Sequence, residues 1–195
     1  MKLILTLGFM LILNFGFSQN VIEWSPEYKV TLTDFKSPET EINSQLSGYT
    51  LFPGTNIDFS FHMSSYAFMF KKNFNDKVST TFNRDLAAII APDSTIANQL
   101  VEFGQYSFDL TELYSRKFRK EIYENKGAFS DISFYQPILK KLQQEMDAEN
   151  SRMLKSTEFG KDLGLIKVEH QKVLLEIESY ADFCKECKPP KKKKK

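Results

Sequence analysis

Between residues 94 and 125, apolar or small side chains recur at Ile96, Leu100, Phe103, Ser107, Leu110, Tyr114, Phe118 and Ile122, in steps of four and three that settle at four. Such spacing lines one face of an α-helix. Pro92 with Asp93 or Ser94 supplies a start, and Gly127, closing "ENKG", fits the left-handed position that follows a helix C-terminus. At 1.5 Å per residue the rod is about 45 Å long. A helix of that length is the spine of any domain built from 195 residues, and the other segments must cover its apolar face.

The segment before it, residues 19 to 82, has the period of strands. "EYKVTLTDF" alternates Tyr28, Val30 and Leu32 against Lys29, Thr31 and Thr33. "NIDFSFHM" alternates Ile57, Phe59, Phe61 and Met63 against Asp58, Ser60 and His62, and "SYAFMFKK" follows as a more buried run. The turn-forming stretches "KSPET", "FPGTN" and "NFNDK" separate them. Four or five strands are expected, mostly antiparallel, because the connections are too short for crossovers. Beyond the long helix, Phe134, Ile138, Leu142 and Met146 predict a second helix reaching toward Met153, and Ile166, His170, Val173, Ile177 and Tyr180 predict a third. Strands first and helices after is the order of an α+β fold: an N-terminal, mostly antiparallel sheet with three or so helices to one side of it.

Residues 1–18 read as a secretory signal peptide, with Lys2, an apolar run from Leu3 to Phe17, and small residues at Gly16 and Ser18. That run is shorter than the ~20 apolar residues needed to span a bilayer. Export with cleavage after Ser18 is therefore expected, to the periplasm or outside the cell, leaving one domain over 19–184 and a disordered lysine-rich tail over 185–195. Of the 26 Lys and Arg, one is Lys2 and six lie in "KPPKKKKK", so the body carries 19 against 25 acidic residues. An acidic body is a poor nucleic-acid binder, since that affinity rests on clustered Lys and Arg neutralising phosphates. The tail suits weak, salt-sensitive contact with an anionic envelope surface, at ~1 kcal/mol per Lys. Cys184 and Cys187 form a single C-x-x-C, without the second ligand pair of a structural zinc site. It falls at the C-terminal end of a predicted helix, where nothing stabilises a thiolate; a small disulfide or two idle thiols remain.

Four blocks resemble a family of bacterial secreted proteins, catalogued as a domain of unknown function and predicted to be zinc-dependent proteases. "WSPEYKVTLTDFKSP" is similar to the family's opening block, keeping Thr31, Asp34, Phe35 and Pro38, and "INSQLSGYTL" to its next strand, keeping Ser47 and Gly48. "QYSFDLTELYSRKFRKEI" resembles its most diagnostic block, of the type His-Glu-Gln-x-His-Phe-Asp-Ile-x-Glu-Leu-x-x-Arg. The C-terminal part resembles a block of the type Tyr-Asp-x-x-Thr-x-His-Gly. The resemblance implies a zincin-like fold in which two His four residues apart hold zinc and the Glu after the first polarises its water. Anchored on Phe108-Asp109-Leu110, those positions carry Phe103, Gly104 and Ser107, none of which does that chemistry. The positions are vestigial on this reading.

Glu112 is no substitute. On an unbroken helix it lies about 140° around from Ser107 and about 180° from Phe103, and it pairs instead with Arg116 one turn on, for a few tenths of a kcal/mol. Two registers of the C-terminal block stay open. One places Phe159, with Thr157 and Gly160 retained, at the third ligand; the other, which aligns Asp147, places Arg152 there. Neither supplies a ligand, and in the first Phe159 faces Phe103 as an apolar contact in place of a metal bridge. Leu32 and Ala88 stand at the family's usual tryptophans.

Of the two histidines, His62 falls on the polar side of a strand and His170 on an apolar helical stripe, as a satisfied core or boundary residue. A metal site using both would also need carboxylates such as Asp109 or Glu102, and no local motif pairs them. The expected function is that of an exported, inactive zinc-protease-like protein, without cofactor, binding an unknown protein or peptide or giving structural support in the envelope. The competing readings are a metal-dependent peptidase or hydrolase with nonstandard ligands, and an envelope interaction module unrelated to zincins.

Overall fold

The computed structural model describes residues 20–190, and the predicted signal peptide and the last five lysines lie outside them. Among the described residues six short strands form two three-stranded sheets. In the first, β1 (Val21–Glu23) and β4 (Thr55–Phe59) flank β5 (Val78–Asn83), all antiparallel, with Val21 opposite Asn83 and Ile57 opposite Thr80. In the second, β2 (Glu41–Ile42) and β3 (Thr50–Phe52) flank β6 (Ala88–Ala91), β3 antiparallel and β2 parallel. A six-residue helix α1 (Ser65–Phe70) separates β4 from β5, and three long helices follow: α2 (Ser94–Asn125), α3 (Gln136–Ser156) and α4 (Leu163–Ser179). The fold is α+β.

The Asp93 side chain accepts from the Ile96 N–H and so caps the start of α2, where the spacing places it. α2 packs on both sheets and on both later helices. Every residue from Phe103 to Arg116 is buried, so α2 is enclosed all round and not amphipathic with a wet face. Phe103, Tyr106, Leu110, Leu113, Phe118 and Ile122 share one core with Leu142, Met146, Met153, Ile166, Val173 and Ile177 of α3 and α4, and Phe118 also packs edge-on against Phe59 of β4. Toward the sheets, Leu100, Val101 and Phe108 meet Val30, Phe35, Phe82 and Ile89.

Three local expectations are corrected. Residues 28–32 are not a strand: the Val30 N–H donates to the Gln105 side chain and the Thr31 N–H to Asp34, so side chains satisfy the backbone and a 3-10 turn follows at Leu32–Asp34. "SYAFMFKK" is not a strand either; Ser64 accepts from the Ala67 N–H and starts α1. Gly127 is not left-handed, since the positive-φ glycines are Gly54 and Gly160. The chain leaves α2 through an extended Lys126, and the Gly127 N–H donates to Ser130 Oγ.

Candidate functional site

The three positions that the resemblance marks as vestigial are packed shut. Phe103 is buried under the turn between α3 and α4, where Gly160 lies so close that a Cβ there would sit 3.6 Å from that of Phe103. Gly104 faces the ring of Phe35, whose Cζ would lie 2.9 Å from any Cβ at 104. Ser107, fully buried, donates to Asn150 Oδ1 of α3 at 3.2 Å.

Phe159 does not face Phe103. It is 59% exposed, and Gly160 makes the contact instead. The cause lies in the turn. Thr157, fully buried, donates its hydroxyl to Met153 O, and its carbonyl accepts from the N–H groups of Lys161 and Asp162. Closing so tightly requires three successive left-handed residues, Glu158 (φ 49°), Phe159 (φ 58°) and Gly160 (φ 94°), which swings the Phe159 ring outward. Arg152, the residue of the other register, turns to Glu149 and Glu169.

Two turns along, the opposite face of α2 is polar and equally buried. Asp109 accepts hydrogen bonds from Trp24 Nε1 (2.7 Å), Gln105 Nε2 (2.8 Å) and His170 Nε2 (2.7 Å). Burial by itself raises its pKa, but the bonds from His170, Gln105 and Trp24 outweigh that and hold the carboxyl below the usual range. Because an ionised carboxylate only accepts, His170 donates to Asp109 from Nε2. His170 lines a groove of about 460 Å³ with Glu102, Leu163, Ile166, Lys167 and Leu174. The imidazole is thus oriented by a buried carboxylate, and no Ser, Thr or Cys lines the groove beside it.

One turn further, Glu112 is a hub. Its Oε1 accepts from Arg116 Nε (2.8 Å) and Arg119 Nη1 (3.0 Å), and its Oε2 from the Thr80 hydroxyl (2.7 Å). The pair with Arg116 forms, but it is buried in the core and not a surface pair of helix neighbours. Arg119 also donates to the carbonyls of Phe183 and Val78 and is 1% exposed, with Nε unpartnered among the described residues. Burial lowers its pKa, against the pull of Glu112. Beside this hub lies a cavity of about 390 Å³, lined by Glu23, Trp24, Thr80, Arg116, Arg119 and Cys184 among others.

Trp24, Thr80, Gln105 and Arg119 were not legible as site residues from composition or apolar spacing. One signal existed: Gln105, Asp109, Glu112, Arg116 and Arg119 follow one another in steps of four, three, four and three, a polar stripe with the helical period.

A disulfide joins Cys184 and Cys187. The strap around it is held by the core: Cys187 O accepts from Asn73 and Asn75, and Arg119 donates to Phe183 O. His62 is exposed past the end of β4 and shares no pocket with His170. Among the described residues no group of three or more His, Cys, Asp or Glu side chains is placed to hold a metal ion, and no helix is long and apolar enough to cross a membrane. Comparison with family models, with curated proteins and with solved structures finds no match to this chain.

Proposed function

We propose that this chain is an exported, non-catalytic protein of zinc-protease-like ancestry with a binding or structural role in the cell envelope. The observation that supports it is the packing at 103, 104 and 107, where the Phe35 ring, Gly160 and Asn150 occupy the space that two imidazoles, a carboxylate and a metal would need. Such a face is a core, not a cleft, so a ligand has to approach elsewhere. Purified protein equilibrated with zinc should retain less than one equivalent after dialysis and should not cleave casein or a mixed peptide library. One tightly held zinc per chain would sink the reading.

A hydrolase reading is favoured by one observation, the Asp109–His170 pair at 2.7 Å beside an open groove. There His170 would take a proton from water, with Asp109 steadying the imidazolium. Under it, any hydrolytic activity disappears in His170→Ala and persists in His62→Ala. Under the non-catalytic reading, neither variant changes an activity and His170→Ala only lowers stability.

A further inference from the structure

The cavity beside the Glu112 hub is walled by four stretches that lie far apart in sequence: residues 23–26, Thr80 of β5, the charged residues of α2, and residues 184–186 of the strap. At about 390 Å³ it has the size of a small-molecule site. Its floor is polar and sealed. Thr80, Glu112, Arg116 and Arg119 lie there, none more than 8% exposed, while Trp24, Pro26 and Cys184 supply apolar wall.

Within the floor one carboxylate faces two guanidiniums, an excess of one positive charge. Glu112 is already shared among Arg116, Arg119 and the Thr80 hydroxyl. Arg116 uses Nε on Glu112 and Nη1 on Ile177 O, and its Nη2 has no hydrogen-bond partner among the described residues. Unlike Arg119 Nε, that nitrogen is not sealed from solvent. Arg116 Cζ lies 5.5 Å from the Trp24 ring, and the Nε1 bond to Asp109 holds the ring in place. A guanidinium with one free edge therefore stands beside a fixed apolar plane.

The more exposed lining residues limit what can enter. Glu23, paired with Lys185, and Glu186 bring negative charge to the mouth. A dianion would be repelled by both carboxylates, whereas a single negative charge matches the excess in the floor. We propose that this cavity binds a small organic monocarboxylate, its carboxylate on Arg116 Nη2 and its apolar body against Trp24, Pro26 and Cys184. Arginine suits that contact because its planar fork keeps Glu112 and Ile177 O while directing a further N–H at the ligand. A free acid and the C-terminal residue of a peptide share this chemistry. None of residues 103–107 lines the cavity, so the proposal stands or falls apart from the reading of those positions.

The test uses the chain's single tryptophan, Trp24, whose emission reports on the cavity directly. Purified protein is titrated with phenylacetate, for a free acid, and with N-acetylglycylphenylalanine, for a peptide end. At least one should give a saturable change with a Kd of about 1 mM or lower, and the tighter of the two identifies the source. Their neutral amides should bind about tenfold more weakly or worse, and inorganic phosphate should not displace the acid. Arg116→Lys keeps the charge but not the fork and should weaken binding about tenfold, while Lys185→Gln at the mouth should change it by no more than about threefold. The amide comparison is made on the parent protein, so it decides the matter even if Arg116→Lys folds poorly. The proposal is overturned if neither acid gives a saturable change, if the amides bind as tightly as the acids, or if phosphate displaces them. It is overturned too if a folded Arg116→Lys binds like its parent.

Discussion

Residues 103–107 and 109–119 of α2 are separated only by Phe108 and are almost entirely buried, yet they achieve burial by opposite means. The first segment is closed by fit: Gly104 admits the Phe35 ring, Phe103 takes Gly160, and Ser107 makes one neutral hydrogen bond to Asn150. The second is closed by pairing, because Asp109, Glu112, Arg116 and Arg119 cannot be left without partners in a core. Those partners are Trp24 just after β1, Thr80 of β5, His170 of α4 and Phe183 of the strap beyond it, so the charged half ties segments before and after it in the chain to the spine. It is also the half with a cavity against it, lined by Glu112, Arg116 and Arg119. Apolar closure leaves no room for a ligand, and polar closure leaves space that close packing would have removed.

The largest expected effect is at the hub. Glu112→Ala leaves the guanidiniums of Arg116 and Arg119 buried without their carboxylate, which should cost about 3–5 kcal/mol in urea unfolding. Replacing the set together, as Glu112→Leu, Arg116→Met and Arg119→Met, should recover most of that loss, because a charge cluster exchanged for apolar bulk is often neutral. A loss under about 1 kcal/mol in the single variant would mean that the second half does not depend on pairing.

Asp109→Asn comes next. It keeps the shape but removes the charge that accepts from His170, Gln105 and Trp24, at a cost of about 2 kcal/mol near neutral pH. The native pKa of Asp109 lies below its ordinary value. Its contribution is therefore complete above the ordinary carboxylate range and is lost as pH falls through the lower native value. The gap between parent and variant should narrow in acid, and a gap that stays constant from neutral pH to the native carboxylate range would break this account.

The sequence disclosed the spine because apolar spacing and an N-cap are local signals, and Asp93 opens α2 where both point. It disclosed α3 and α4 by apolar spacing alone. The alternation in residues 28–32 misled because Thr31 and Asp34 form a side-chain-to-backbone turn that happens to share a strand's period of two. At the site, the apolar stripe was legible and the polar one was passed over, since charged residues on a helix usually face water. What encloses them, Trp24 from 85 residues earlier in the chain and His170 from 61 residues later, is a tertiary fact that no local window carries.

The smallest effect tests the junction of the first segment with the α3–α4 turn. Gly160 has φ 94° and lies where a Cβ would be 3.2 Å from Leu100 Cδ2, so Gly160→Ala strains the backbone and crowds the core, for about 1–2 kcal/mol. Phe159 is exposed, and Phe159→Ser should change stability by no more than about 0.5 kcal/mol. The pair discriminates because the two residues are neighbours with opposite assignments. If Phe159 instead covered Phe103, Phe159→Ser would open a core cavity and cost about 3 kcal/mol, while Gly160→Ala, moved off the helix, would retain only its backbone strain. Paired urea unfolding of the two variants decides which residue, the aromatic ring or the glycine, closes the first segment.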